Sequence, residues 1–157
     1  MDTYPFFQWC NDTGLGTAIR NVTWAFPLIE TIHILSLTVL LGSILLMDLR
    51  MLGIGIRRIP VSRMQNQLST YINVSLVVSI VTGVMLFLSE ALKAYDNLAF
   101  RPKITLLLLA VIFHYTVHNK ATSSVKPGGP GWGKVAAVVS LFLWFGVGAA
   151  GRAIGFV

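Results

Sequence analysis

Charge is what this chain has least of. Only 11% of its 157 residues are Asp, Glu, Lys or Arg, less than half the share of an ordinary soluble domain. A water-soluble helical domain needs charge at short intervals along each helix. Here the charges gather into a few short stretches between long apolar runs, which excludes that class. Acidic residues are scarcer still, six against twelve Lys and Arg. The basic residues lie beside hydrophobic segments without a dense cluster, a pattern that fits lipid head groups and orientation signals and speaks against nucleic acid as a partner. One cysteine, Cys10, excludes an intramolecular disulfide and reads as a small buried or interfacial side chain. The first twenty residues contain Asp2, Asp12 and Arg20 and no basic start followed by an apolar run, so they read as a retained segment and not as a cleavable signal peptide. Asp12 or Thr13 is placed to cap a short helix through Arg20, with Phe6, Phe7 and Trp9 at the membrane interface. Also missing are a Cys-x-x-Cys-His haem attachment, a Gly-rich phosphate loop followed by Lys, and a Ser-His-Asp set at arguable spacing.

What is present is hydrophobic length. Apolar residues make up 55% of the chain, and a run of about 20 of them crosses the hydrocarbon core as a helix. Four such runs are expected, at about 24–47, 68–92, 100–118 and 134–152. Pro27 and Pro102 stand in first turns, where a missing amide proton matters least, and Trp24 stands at interface depth. Lys126 to Gly133, with Pro127, Gly128, Gly129, Pro130 and Gly131, breaks the chain before the last run. Short connections favour an all-α, up-and-down four-helix membrane bundle, one domain over 1–157 with a short interfacial segment at its N-terminus. Arg50, Arg57, Arg58, Arg63, Lys120, Lys126 and Lys134 fall on one side, seven residues against the five of Arg20, Lys93, Arg101, Lys103 and Arg152. The arginines after the first span place both termini outside the cytoplasm, in a multi-pass protein of a bacterial inner membrane. Gly146, Gly148, Ala149, Ala150, Gly151 and Gly155 give the fourth helix a small-residue face, for the bundle's own interior or for a homo-oligomer; Gly42 and Gly83 offer the same in the first two helices.

All three histidines, His33, His114 and His118, lie in predicted spans. Titratable side chains inside a bilayer point to function. Counting about 1.5 Å per residue from the start of each helix, His33 and His114 fall at overlapping depths on parallel helices and can face each other as axial ligands of one haem iron. His118, one turn further, either holds a second centre or is solvated at the helix end. Phe26, Phe87, Phe113, Phe142, Trp144 and Phe145 are available to line a porphyrin slot, with Gly83 or Gly146 leaving room. Arg152, Arg101 and Lys103 are available for the propionates. Glu30, one turn before His33, needs a partner, for which Arg152 is the candidate, or a role in carrying protons. Asp48 is expected to pair with Arg50 or the arginines that follow. Glu30 and His33 have the Glu-x-x-His spacing of di-iron bundles, but the further carboxylates such a site needs are absent. Met47, Met51 and Met85 read as core.

The run from Trp24 through Glu30 and His33, continued from Gly42 through Asp48, Leu49 and Arg50 to Gly53, resembles the first-helix signature of a family of small bacterial four-helix membrane proteins that carries only an unknown-function label. The Phe100-Arg-Pro-Lys103 start of the third helix and its later Phe113-His114 extend the resemblance over most of the chain. More loosely, it is similar to cytochrome b561-like and copper-resistance membrane proteins, without the full histidine set of cytochrome b561.

Three functions are therefore expected from residues alone. The first is a b-type membrane cytochrome that passes electrons within or across the bilayer, with His33 and His114 on one haem b, His118 free for a second, and an unidentified redox partner. That would be an electron carrier, not a substrate-converting enzyme. The second is a cofactor-free accessory or scaffolding subunit in which Glu30, His33 and Arg152 form a polar network. The third is a small transporter or metal-handling protein that uses Glu30 and the pair His114 and His118.

Overall fold

A computed structural model describes residues 3–54, 60–124 and 131–154. The break at Pro127 to Pro130, the basic residues Arg57, Arg58 and Lys126, and Gly155 of the small-residue face lie outside the described residues. The elements run α1 (Tyr4–Asn11), α2 (Gly14–Asn21), α3 (Ala25–Leu52), α4 (Val61–Ser89), α5 (Ala91–Asp96), α6 (Phe100–Phe113), a π-helical turn (His114–His118), α7 (Asn119–Ser124) and α8 (Trp132–Ala153). No strand occurs among the described residues. Four helical stretches are long and apolar enough to cross a membrane, Ala25–Leu52, Val61–Ser89, Phe100–Thr122 and Trp132–Ala153. The protein is an all-α membrane bundle whose outward faces, with Ile34, Leu35, Val77, Leu108, Val138 and Phe142 exposed, offer hydrocarbon to lipid.

The span boundaries have local causes. α3 stops at Gly53, whose φ of 82° is open to glycine without strain. Its amide donates to Arg50 O at 3.1 Å and that of Ile54 to Leu49 O at 2.9 Å, closing the last turn. α4 starts at Val61, earlier than its apolar run, because Pro60 pre-sets the chain and the polar residues Gln65 and Asn66 are helical at the membrane edge. It ends at Ser89, since Glu90 leaves helical geometry at φ −135°, ψ 33°, and the remainder of the expected second span becomes α5. The third span continues past His118 through the π-helical turn into α7.

Helices in lipid associate through close packing and not through expulsion from water. The α3–α4 seam is accordingly built of small hydroxyl residues with intervening Leu and Ile. Ser36, Leu40, Ser43, Ile44 and Met47 of α3 and Ile72, Ser75, Leu76, Ser79 and Thr82 of α4 are buried, at the three- and four-residue steps that keep one helix face toward a neighbour. α8 packs on α3 and α6. Its glycines face the chain's own helices: a Cβ on Gly146 would lie 3.3 Å from Leu106 Cδ1, and one on Gly148 3.9 Å from Leu41 Cδ1. α4 meets the third span mainly at α7, and that span is the least buried of the four. Leu40, Ile44, Ile72, Leu76, Ala110, Trp144 and Val147 form one dry layer at mid-height. Met47, Met51, Val61, Met64, Ala121, Ala136 and Ala137 form a second at the end where α3 connects to α4.

The opposite end is capped. Thr13 accepts from the Gly16 amide at 3.3 Å and starts α2, as the sequence leads one to expect. Arg20 then reaches the C-terminal carbonyls of α4, Ser89 O at 3.0 Å, where a cation is favoured by the helix dipole. Gly16 packs directly on the Leu88 carbonyl, closer than a Cβ would permit. Phe7, Phe87, Tyr95 and Phe100 pack ring to ring, while Phe6 and Trp9 stay exposed. Cys10 is buried, and burial pushes its thiol pKa up.

Candidate functional site

Asp48 continues the four-residue row Ser36, Leu40 and Ile44 on the buried face of α3. Its carboxylate therefore points inward, not toward solvent. It has no exposure, and its Oδ1 lies 2.7 Å from Nε2 of His118, itself 1% exposed. In place of the expected Arg50, its partner is an imidazole 70 positions away; Arg57 and Arg58 lie outside the described residues. The physical reason is helical geometry: residues two apart face different sides, so Arg50 cannot share Asp48's buried direction. His118 likewise is not solvated at a helix end, because the third span extends another turn and covers it.

The π-helical turn sets the histidines. Its sequence, His114-Tyr-Thr-Val-His118, is rich in β-branched and aromatic residues of modest helix propensity. The Asn119 amide donates to His114 O in the i to i+5 pattern, and the Thr116 hydroxyl bonds back to Ile112 O at 2.6 Å. Such turns within α-helices often mark functional positions. Here the turn stacks the two imidazoles, with centroids 5.0 Å apart and planes 22° from parallel. Asp48, His118 and His114 thus form a row of titratable groups with both histidines buried.

Three buried polar atoms of this row, Asp48 Oδ2, His114 Nδ1 and His118 Nδ1, lack a close hydrogen-bond partner, with Ser140 alongside the Asp48 carboxylate. Folded proteins leave few such atoms, so three in one row mark this as a site and not as inert core. A cavity of about 80 Å³ adjoins it, lined by Met47, Gln65, Leu68, Ser69, Ile72, Asn73, His114, His118 and Asn119. Tyr115 OH donates to Asn73 Oδ1 at 2.7 Å, which orients one amide of that wall.

The structure does not bring His33 and His114 together. With His118 opposite Asp48, an offset of 70 positions relates the parallel α3 and third span. His33 is then level with Lys103, and His114 lies eleven positions deeper, about 16 Å along the axis. One iron cannot bridge that separation. Depths counted from the helix starts fail because α5 and the Asn97 turn take up length at the capped end, so that Phe100 begins level with Glu30. His33 instead lies 2.9 Å from the Thr82 hydroxyl through Nδ1, beside a Ser36–Ser79 hydroxyl pair at 2.8 Å. Glu30 is exposed and makes no ion pair with Arg152 among the described residues. Arg101 and Arg152 are exposed at the capped end, the end nearer His33. Of the expected porphyrin slot, Phe142 and Phe145 point outward, Trp144 is buried in the dry layer, and Phe87 stacks on Phe100. Among the described residues no three His, Cys, Asp or Glu side chains gather as metal ligands.

Sequence reasoning missed Asp48 and Ser140 as members of a site. The signal available for Asp48 was its place in the row from Ser36, a buried register for a carboxylate. The histidines of the third span were identified, without their partner.

In comparison with known proteins, residues 6–157 match a family described as "Family of unknown function (DUF6644)". No curated protein and no solved structure matches, and the looser likeness to cytochrome b561-like proteins is not shown.

Proposed function

We propose, for a chain that belongs to the DUF6644 family of unknown function, that it is a small proton-coupled membrane carrier. Asp48 and His118 bind the proton, and the neighbouring cavity receives the solute. The observation that carries this reading is the fully buried Asp48–His118 pair with His114 stacked on it and opening on an amide-lined cavity. A carboxylate and an imidazole held in contact away from water share a proton readily, and an intramembrane pair of this kind is a common element of proton relays. His114, stacked on His118 and lining the cavity together with it, passes the proton inward. By their positions in the sequence, between the first and second spans and between the third and fourth, the basic residues Arg50, Arg57, Arg58, Arg63, Lys120, Lys126 and Lys134 support placing this end at the cytoplasmic face of a bacterial inner membrane. The dry layer beyond it separates the pair from the hydroxyl cluster at His33, so release on the far side requires the helices to rearrange, as carriers do.

Infrared titration of the protein in lipid nanodiscs tests the site. The carboxyl band of Asp48 is expected to appear and disappear with pH in the wild type, and to be absent from Asp48→Asn with the helical amide bands unchanged. A titrating carboxyl band of the same intensity in Asp48→Asn would remove the proposed proton site.

The electron-transfer reading keeps one supporting observation. The hydrogen bond of His33 Nδ1 to Thr82 holds its Nε2 available, as second-shell partners do for metal-bound imidazoles. Haem on this chain would then rest on His33 with its other axial ligand from elsewhere. A reduced-minus-oxidised spectrum with sharp bands that vanish in His33→Ala is the result expected of that reading; a colourless preparation from haem-replete cells ends it.

A further inference from the structure

We infer, on the carrier reading above, that the solute is a short-chain monocarboxylic acid, taken into the cavity beside His114 as the carboxylate together with one proton.

α4 gives the cavity two adjacent rows, the polar Gln65, Ser69 and Asn73 and the apolar Leu68 and Ile72, each at the four-residue spacing that keeps side chains on one helix face. The third span gives it His114 and His118. A solute with a hydrogen-bonding head and a short alkyl end matches that division. The volume of about 80 Å³ is near half the roughly 150 Å³ that takes up a benzene, which limits the alkyl end to about two carbons. Among the described residues that line the cavity there is no Lys, Arg, Asp or Glu. A solute of fixed charge would enter with no fixed counter-charge and lose its hydration uncompensated. An acid that brings its own proton avoids that cost.

The proton has a place to go. His118 faces Asp48 through Nε2, and its Nδ1, like that of His114, is buried without a close partner. Two unsatisfied ring nitrogens on residues that line one cavity point to a ligand that bonds to them. Tyr115 OH donates to Asn73 Oδ1, so the Asn73 carboxamide has its N–H groups to offer an acceptor. On binding, the acid's O–H bond breaks, its proton joins a ring nitrogen of His114, and the carboxylate keeps the electron pair. The loaded cavity gains an anion and an imidazolium and no net charge. Facing His114 are His118 of its own span, with Asp48 of α3 behind that ring, and Tyr115 in edge contact. α7 carries an exposed Lys120, α4 brings amides and a hydroxyl, and α8, which packs on the π-helical turn, buries only Ala, Ser, Trp and Val. The charge that His114 needs beside it when protonated is therefore the solute's own.

Titration calorimetry of the full chain in lipid nanodiscs separates the outcomes, with propionate, its neutral isostere propionamide and the longer octanoate as probes. In buffers of low and high ionisation enthalpy, propionate should bind with uptake of about one proton, and its affinity should fall about tenfold per pH unit on the alkaline side. Propionamide should bind about tenfold more weakly and take up no proton. His114→Phe, which keeps the ring stack, should lower propionate affinity about tenfold and abolish the proton uptake. Ser69→Leu, which fills the cavity and leaves every titratable group in place, should lower the affinity as much, while Arg101→Gln at the capped end should change nothing. Equal affinity for propionate and propionamide without proton uptake overturns the assignment, as does propionate binding that survives both His114→Phe and Ser69→Leu. Octanoate binding more tightly than propionate overturns it as well, since the carboxylate would then come from fatty acids of the bilayer. Infrared titration of Asp48 on the same nanodiscs keeps the two readings apart. A titrating Asp48 band with no propionate bound ends the solute assignment and leaves the carrier's proton site. Propionate bound with a proton beside a silent Asp48 supports the acid site and removes the proton pair.

Discussion

Asp48→Leu should lower the unfolding free energy of the detergent-solubilised protein by about 3–5 kcal/mol, and His118→Leu by a similar amount, while the double variant recovers most of the loss. Each single change leaves one member of a fully buried pair (0% and 1% exposed) without the other, Asp48 keeping only Ser140 beside it. Changing both replaces the pair with hydrocarbon of similar volume, and the dry layers on either side already supply the packing surface. Thermal or denaturant unfolding of the four proteins gives the double-mutant cycle. Losses that simply add would mean that the two side chains do not act on each other. The pattern separates structural from functional value, because all three variants lack the proton site whichever of them is stable.

His114→Phe should have the opposite profile. Nδ1 of His114 is buried and bonds to nothing, so phenylalanine keeps a ring stacked on His118 and removes an unsatisfied polar atom. Stability should hold or rise by about 1 kcal/mol. The rate at which Asp48 and His118 take up a proton after a pH jump should nevertheless fall about a hundredfold, the scale on which a positioned acid–base group accelerates transfer. Stopped-flow infrared or pH-dye measurements read that rate, while the amount of proton bound at equilibrium should stay the same. An unaltered rate would make His114 a packing residue only.

The spans were legible because lipid imposes a crude requirement, length and absence of charge, that composition alone can meet. The cap at Thr13 was legible because a hydroxyl before a short helical run has one local use. What lay beyond the sequence was the axial offset between helices. Nothing in residues 24–52 or 100–124 states that Phe100 begins level with Glu30, since that follows from how α5 and the Asn97 turn fill the capped end. His33 and His114 looked matched in depth for that reason alone. The Asp48 assignment failed differently, because sequence proximity to Arg50 was given more weight than the four-residue row Ser36, Leu40, Ile44 and Asp48, which was readable. The π-helical turn carries no composition signal strong enough to override an α-helical expectation, yet it aligns His114 with His118.

The mid-height layer of Leu40, Ile44, Leu76 and Trp144 has a consequence for the cell that holds this protein. Along α3 it runs from Leu40 to Ile44, about 6 Å of the membrane's thickness, and none of its members is titratable. An idle copy of the proposed carrier would therefore act as electrical insulation at that height. It could be abundant without draining the voltage across its membrane, with current flowing only during the moments when the helices slide and wet that band.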